Sequence, residues 1–286
     1  MGKRFKQAIA ALLCLAGCTP ALRTSGDIKH WAVYYDTALP AKAFKHYDLV
    51  IFDRRHYPKF ESIKGKTKVL AYVSMGEVYD DVPEKKLLEQ ENALLFQNDT
   101  WKSHAVDVTS PTWRKLVLGY VDDAAQKGFD GVMLDTIDSP LHWAETQAPE
   151  RLEAMREGAA SLIHAIRMAH PTMKIMVNRG FAILPLVADD INYVLAESIL
   201  THTDETSGQF AFFSSQTTSE VASQLHHAVS LQPQLQILTL DYWNMDDVNG
   251  LERIYAAHRA QGFAPYVTTP DLTTHTPEPK QYAKKR

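Results

Sequence analysis

Hydrophobic positions along residues 31–268 occur in short runs, and each run ends in polar residues that a helical pattern follows. The runs are continuous rather than alternating, which is typical of strands buried on both faces, as in a parallel sheet. Eight such strands are predicted, at residues 31–35, 47–53, 69–74, 131–135, 175–178, 193–197, 237–242 and 264–268. Between them, apolar residues recur at helical spacing, so the pattern predicts a chain that alternates strand and helix.

Five longer helices are predicted, at residues 83–96, 111–127, 151–169, 218–229 and 248–261, with shorter ones near 39–45 and 182–188. Ser110 and Pro111 form an N-cap and first-turn pair, and Gly262 occupies the position after a helix where a left-handed residue is favoured. Eight strand–helix units over about 240 residues favour a single-domain α/β fold, the (β/α)8 TIM-like barrel. An open doubly wound sheet is the alternative, although no glycine-rich phosphate loop follows the first strand.

The first residues have the pattern of an export signal rather than of a folded element. Basic residues precede an apolar stretch at 8–16, which is too short to span a bilayer. The sequence Leu-Ala-Gly-Cys that ends at Cys18 resembles the lipobox of bacterial lipoproteins. That resemblance implies a signal peptide at 1–17, a lipid on Cys18 and a tether at 18–27. Thr19 then favours the outer membrane where the cell has one, so we expect an envelope lipoprotein that faces the periplasm or exterior.

Composition narrows the classes of function. The chain has 286 residues with a formal net charge of −4, so no basic surface favours nucleic acid. Its two cysteines, Cys14 and Cys18, both belong to the targeting segment, which excludes a cysteine nucleophile or a cysteine-ligated zinc in the body of the protein. The barrel is expected at 28–272, and the polar segment 273–286 is expected to be a frayed tail.

Residues at the carboxyl ends of barrel strands line the active site. These ends are rich in carboxylates, and Asp135 and Glu197 each follow an apolar strand directly. Burial of that kind raises a carboxyl pKa and keeps one member of a pair protonated. Two carboxylates in a cleft with aromatic walls are what glycoside hydrolysis requires. The remaining candidates for binding a sugar hydroxyl, amine or ring face are Asp53, Ser74, Glu77, Asp138, Asn178, Asp241, Tyr242 and Trp243.

A family resemblance adds to this interpretation. The stretches 71–77, 128–138 and 177–181, together with Ala196-Glu197-Ser198, resemble the motifs of glycoside hydrolase family 114. The resemblance covers most of residues 31–271. It implies an endo-acting hydrolase of α-1,4-linked galactosamine polymers that needs no metal or other cofactor. It further implies Asp135 as nucleophile and Glu197 as acid/base.

Two other interpretations stay open at this point. A metal-dependent barrel enzyme would hold Mg²⁺ through Glu77, Asp135 and Glu197. A non-catalytic carbohydrate-binding lipoprotein would keep the fold without its chemistry. For the carboxylates proposed to bind sugar, a structural role in an ion pair or a loop cap is the alternative. The other aromatic residues divide similarly: Tyr34 is a candidate subsite, Tyr72 is expected in the core, and Trp101, Trp113 and Trp143 are expected to pack against neighbouring residues.

Overall fold

The computed structural model describes residues 28–204 and 207–283, and the eight predicted strands all occur within them. Every neighbouring pair in the main sheet is parallel, and the order of the strands in the sheet follows their order in the chain. The strands are β1 Trp31–Tyr34, β2 Leu49–Asp53, β3 Lys68–Ser74, β4 Gly131–Asp135, β5 Lys174–Asn178, β6 Tyr193–Glu197, β7 Gln236–Tyr242 and β8 Ala264–Thr268.

The sheet curls into a nearly closed (β/α)8 barrel, which confirms the predicted fold class. Across the remaining gap, the ring nitrogen of Trp31 on β1 donates to the Ala264 carbonyl on β8 at 2.8 Å. The rings of Trp31 and Tyr266 also pack together, with centroids 5.5 Å apart. Both contacts are buried, so aromatic side chains join the first strand to the last.

Helices cover the outside of the barrel. Their bounds are α1 Lys85–Gln90, α2 Pro111–Gln126, α3 Asp138–Gln147, α4 Leu152–Ala169, α5 Leu184–Val187, α6 Ser215–Leu231 and α7 Val248–Ala260, with 3₁₀ turns at Ala41–Phe44, Pro149–Arg151 and Phe181–Ile183. Ser110 caps α2 as predicted, because its side chain accepts the Trp113 N–H at 3.2 Å. Gly262 follows α7 with a φ of 78°, the left-handed conformation that its position predicts.

Two segments differ from the predicted pattern. The helix predicted at 83–96 is confined to α1, and its second half forms a strand instead. That strand, Leu94–Asn98, pairs with Ser103–Val106, which pairs with Glu77–Tyr79, so a small antiparallel sheet (the inserted sheet) follows β3. A second small pairing joins Thr201–Thr203 to Phe210–Phe212 after β6. The pattern also missed α3, which begins three residues after Asp135.

Ile28 and the segment around Glu278 pack at the amino ends of the strands. Ile28 is buried and exchanges two hydrogen bonds with the side chain of Gln236. The segment beyond residue 272 is polar, but it is not frayed over residues 273–283. Thr276 donates to the Val267 carbonyl, and the buried Glu278 pairs with His30 at 2.6 Å. No helix among the described residues is long and apolar enough to cross a membrane. Cys18 and the predicted signal peptide and tether lie outside the described residues.

Candidate active site

A cleft of about 450 Å³ opens at the carboxyl ends of the strands. Successive side chains of a strand point to opposite faces, so residues two apart line the same face. On three strands the later residue of such a pair is polar and lies toward the mouth, above an apolar residue. These pairs are Met133 and Asp135 on β4, Leu195 and Glu197 on β6, and Leu240 and Tyr242 on β7.

A shared hydrogen-bond donor brings Asp135 and Glu197 together. Asn178, on β5 between their two strands, donates through Nδ2 to Asp135 Oδ1 at 2.8 Å and to Glu197 Oε2 at 2.6 Å. The two oxygens are therefore separated by no more than about 5.4 Å, the sum of those distances. Three residues selected from strand ends in the sequence thus meet at one point in the cleft.

Burial and repulsion between the two carboxylates raise the pKa of Asp135 to about 7. Loss of hydration is the largest cause and the charge of Glu197 the next, whereas hydrogen bonds from Asn178 and the Thr136 N–H act in the opposite direction. The raised pKa of Asp135 keeps a substantial fraction of this carboxyl protonated near neutral pH. The cleft therefore places a carboxyl group that can donate a proton beside a second carboxyl group.

Tyrosine hydroxyls surround the pair. Tyr242 donates its hydroxyl to Glu197 Oε1 at 2.6 Å, so each oxygen of that carboxylate has a donor. Burial raises the pKa of Tyr242, and the charge of Glu197 raises it further, which keeps the hydroxyl protonated. The rings of Tyr35 and Tyr72 meet edge to face with centroids 5.3 Å apart, and burial raises the pKa of both hydroxyls.

The backbone turns sharply just after each of the three meeting residues. Thr136, Arg179 and Ser198 follow Asp135, Asn178 and Glu197, and their φ angles are 68°, 52° and 51°. A non-glycine residue in this left-handed region costs roughly 1 kcal/mol, and a β-branched threonine is the least suited to it. Strain of this kind is concentrated at functional sites, where surrounding contacts hold it in place.

Glu77 lines the cleft, but its carboxylate is occupied by protein donors. Its side chain accepts hydrogen bonds from Ser103 and Ser139 at 2.5 Å each and from Asn98 at 3.2 Å. With only 4% of its surface exposed, Glu77 joins the inserted sheet to α3. Glu77 therefore has a structural role in joining these elements.

Asp53 and Asp138 lie on the rim of the cleft. One oxygen of Asp53 accepts the backbone N–H groups of Arg55 and His56, which caps the turn after β2. Asp138 accepts the Nε of Arg179 at 2.9 Å and the Gly180 N–H at 3.0 Å. Both carboxylates thus lie in the cleft, as predicted, and also stabilise the protein through a loop cap or an ion pair.

Ser74, Asp241 and Trp243 do not line the main cleft, contrary to the predicted substrate contacts. Ser74 is buried and bonded to the Glu77 carbonyl and the Thr136 hydroxyl. Asp241 and Trp243 occupy the opposite face of β7 and its continuation from Tyr242, and both are buried. Tyr34, the candidate subsite, likewise precedes a lining residue, Tyr35, and does not itself line the cleft.

The sequence pattern did not identify several residues that line the cleft. The rim includes Tyr79, Asn98, Trp101, Thr136, Ser139, Arg179 and Asp271. Trp101 was assigned to packing, but it is 62% exposed, whereas Trp113 is buried as expected and donates to the Met75 carbonyl. The inserted sheet was not predicted, so nothing in the periodicity could bring Trp101 to the cleft. The lining role of Tyr72, expected in the core, follows from the same alternation as that of Asp135.

The magnesium interpretation depends on three clustered carboxylates. Within residues 28–204 and 207–283, no group of three or more His, Cys, Asp or Glu side chains is arranged to hold a metal ion. Glu77, the third member of the proposed set, is bonded to Asn98, Ser103 and Ser139 instead.

A (β/α)8 barrel with a close carboxylate pair at the carboxyl ends of its strands has the architecture of a glycoside hydrolase. The family follows from the whole chain: residues 16–285 match the model of glycoside-hydrolase family GH114, and the chain belongs to that family. The protein is therefore a glycosidase.

Solved structures agree with this assignment. The glycoside hydrolase domain of PelA from Pseudomonas aeruginosa is 26% identical with a TM-score of 0.76, over 87% of this chain and 97% of that domain. Aspergillus fumigatus Ega3, solved in complex with galactosamine, has the same fold at 17% identity and a TM-score of 0.60, over 86% of this chain and 94% of Ega3. A Methanocaldococcus jannaschii protein of uncharacterized function is 33% identical over 101 residues, which are 34% of this chain and 29% of that protein.

Proposed function

We propose that the protein cleaves α-1,4-linked galactosamine-type exopolysaccharide internally, using Asp135 and Glu197. The observation that carries the proposal is the single amide nitrogen of Asn178 bonded to both carboxylates at the floor of the cleft. Because the pair sits below an aromatic and acidic rim, a sugar that enters the mouth meets both groups at once.

The charge of the cleft supports an amino sugar as substrate. Its lining includes the acidic residues Asp53, Glu77, Asp135, Asp138, Glu197 and Asp271, whereas its basic residue, Arg179, is paired with Asp138. A cleft with an excess of negative charge attracts a protonated amine. The galactosamine bound to Ega3 is consistent with this choice, and so is membership of the same family.

The separation of the carboxylates favours retention at the anomeric carbon. Retaining glycosidases place their two carboxyl groups about 5–5.5 Å apart, and inverting enzymes about 6.5–9.5 Å apart. Asp135 Oδ1 and Glu197 Oε2 are at most about 5.4 Å apart, which is shorter than the separation in inverting enzymes.

The proposed reaction has two steps. Asp135 attacks the anomeric carbon while Glu197 gives its proton to the glycosidic oxygen, so the leaving chain departs as an alcohol and a glycosyl ester forms. Glu197 then takes a proton from water, the resulting hydroxide adds to the anomeric carbon, and Asp135 leaves as the carboxylate. Since burial raises the pKa of Asp135 in the free protein, attack by this group requires that it lose its proton once the substrate has bound.

The test measures oligosaccharides released from acetylated and de-N-acetylated α-1,4-galactosamine polymer by the full chain. Asp135→Asn and Glu197→Gln are each expected to lower the rate by roughly a thousandfold or more. Glu157→Gln, an exposed change on α4, is the matched control and should keep full activity. Products of many lengths early in the reaction indicate internal cleavage, and monosaccharide alone would contradict it.

Two further measurements separate the alternatives. Full activity in EDTA is expected, and loss that Mg²⁺ restores would favour the metal-dependent enzyme instead. For the roles within the pair, azide should react with both alanine variants but yield opposite anomers. We expect the retained glycosyl azide from Glu197→Ala and the inverted one from Asp135→Ala, and the reverse result would exchange the two roles. Polymer binding without any turnover would favour the non-catalytic lipoprotein.

A further inference from the structure

An exposed tryptophan stands at the mouth of the cleft. Trp101 lies in the loop between Leu94–Asn98 and Ser103–Val106, and 62% of its surface is accessible to solvent. It lines the same cleft as Asp135 and Glu197, on the side formed by the inserted sheet. Large aromatic side chains are normally covered in folded proteins, so one held open above a cleft indicates a ligand that covers it.

The loop that carries Trp101 is fixed at both of its ends. Asn98 and Ser103 are partners in the strand register, and both donate to the carboxylate of Glu77. Within the loop, the Lys102 carbonyl accepts the Asp80 N–H at 3.0 Å. Glu77 also accepts a hydrogen bond from Ser139 on α3, which joins this hairpin to the barrel beside Asp135. The backbone of the loop that carries the indole is therefore fixed relative to the carboxylate pair, so the loop loses little freedom when a ligand binds.

The surroundings of Trp101 exclude a large apolar contact. Its neighbours in the loop, Asp99, Thr100 and Lys102, are polar and exposed, so the loop itself offers the indole as its one large apolar group. A protein partner would require a larger continuous surface with an apolar centre. One flat aromatic face bordered by polar groups instead suits a pyranose ring, whose C–H face packs on the indole while its hydroxyl or amine groups remain hydrated.

We propose that Trp101 forms a sugar-binding subsite away from the scissile bond, which stacks on one ring of an extended amino-sugar polymer. This inference rests on the proposed function, because it assigns the polymer's binding at the same cleft. Glu77 is then a positioning residue: its carboxylate holds the loop that presents the indole rather than a sugar hydroxyl. The subsite favours chains long enough to reach from the carboxylate pair to the rim.

The test compares long polymer with the shortest oligosaccharide that the full-length enzyme cleaves. Trp101→Ala is expected to raise KM for the polymer by about tenfold, with kcat and the values for the short substrate nearly unchanged. Trp101→Phe, which keeps an aromatic face, should recover most of the affinity. Phe96→Ala is the matched control, because Phe96 is a 37% exposed aromatic residue on the same sheet that does not line the cleft.

Each outcome decides between the two proposals. A wild-type enzyme that leaves the polymer intact contradicts both the proposed function and the subsite. Wild-type cleavage that Trp101→Ala does not alter contradicts the subsite alone, and so does an equal loss on long and short substrates. An effect of Phe96→Ala as large as that of Trp101→Ala would also overturn it, because the loss would then reflect damage to the inserted sheet.

Discussion

Asp135 occupies an environment that favours its protonated form, because burial and the charge of Glu197 raise its pKa from 3.8 to about 7. In the unfolded chain the same carboxyl ionises near its ordinary pKa. Between about pH 4 and pH 7 the folded protein therefore binds more protons than the unfolded protein does, and the free energy of unfolding falls as the pH rises through this window. The group that is proposed to attack the sugar thus destabilises the fold at neutral pH.

Replacing Asp135 by asparagine should therefore stabilise the protein while it removes activity. Asparagine keeps the oxygen that accepts from Asn178 but cannot ionise. We expect the free energy of unfolding at pH 8 to rise by about 1–3 kcal/mol and to be nearly unchanged at pH 4. Chemical denaturation at the two pH values measures the difference, with exposed Asp246→Asn as control. A gain of equal size at both pH values would show that ionisation is not its cause.

Asp241 lies one residue before Tyr242, and its side chain is on the face of β7 that points away from the cleft. Its Oδ1 accepts the N–H groups of Leu200 and Thr201 and the Thr201 hydroxyl, and its Oδ2 is 2.6 Å from His258 Nε2 on α7. The carboxylate is fully buried, so removal leaves several buried polar groups without a partner.

Asp241→Ala is accordingly expected to lower the free energy of unfolding by about 3–5 kcal/mol. Asp241→Asn, which keeps one acceptor oxygen, should lose less. Urea denaturation followed by circular dichroism measures both variants, and Asp246→Ala in the exposed loop nearby should change stability by less than about 0.5 kcal/mol. A loss below about 1 kcal/mol for Asp241→Ala would mean that this network contributes little.

At the scale of elements, the barrel strands were predictable because each is a continuous apolar run that ends in polar residues. The same rule found Asp135, Asn178, Glu197 and Tyr242. It failed for Asp241 because the end of a strand does not define which face a residue occupies. Because side chains alternate along a strand, Leu240 and Tyr242 face the cleft and Asp241 faces away from it. This alternation could have been applied to the sequence.

The inserted sheet could not be predicted in the same way. The segment 83–96 has charged and apolar residues at helical spacing, and α1 takes up its first part as expected. Residues 94–98 become a strand because Ser103–Val106 and Glu77–Tyr79 provide partners, and such pairings are tertiary contacts that a local pattern does not contain. Trp101 and Asn98 reach the cleft only through this sheet, so their place in it was missed as well.

Close packing between two elements at the cleft gives a further prediction. Gly76 follows β3, and a Cβ added to it would lie well inside 3.0 Å of the Thr136 carbonyl, beside Asp135. Gly76→Ala should therefore separate the two loops and lower the free energy of unfolding by about 2 kcal/mol or more, with loss of activity. Thermal denaturation and the rate of polymer cleavage measure the two effects.

Gly119 is the matched control for this substitution. It lies within α2, and a Cβ there meets no atom within 4 Å. Because alanine is favoured over glycine in a helix by about 1 kcal/mol, Gly119→Ala should stabilise the protein and leave activity unchanged. Equal effects of the two alanine substitutions would contradict the packing argument.

At the scale of the whole molecule, the cleft and the first described residue lie at opposite ends of the barrel. The cleft opens at the carboxyl ends of the strands, whereas Ile28 is fixed at the amino ends through Gln236, the first residue of β7. The packed segment around Glu278 contacts His30 at the same end. Ile28, where the described chain begins, thus lies on the side of the barrel opposite to the cleft.

If Cys18 carries the lipid that its sequence context predicts, the anchor precedes a barrel whose first described residue, Ile28, lies on the side opposite to the cleft. We expect Cys18→Ser to move the protein from the membrane fraction to the soluble fraction and to abolish palmitate labelling. Its specific activity on soluble polymer should match that of the wild type, because Ile28 and the carboxylate pair lie at opposite ends of the barrel. Membrane retention of Cys18→Ser would contradict the lipid anchor, and a large loss of activity in the released protein would contradict the independence of the two ends.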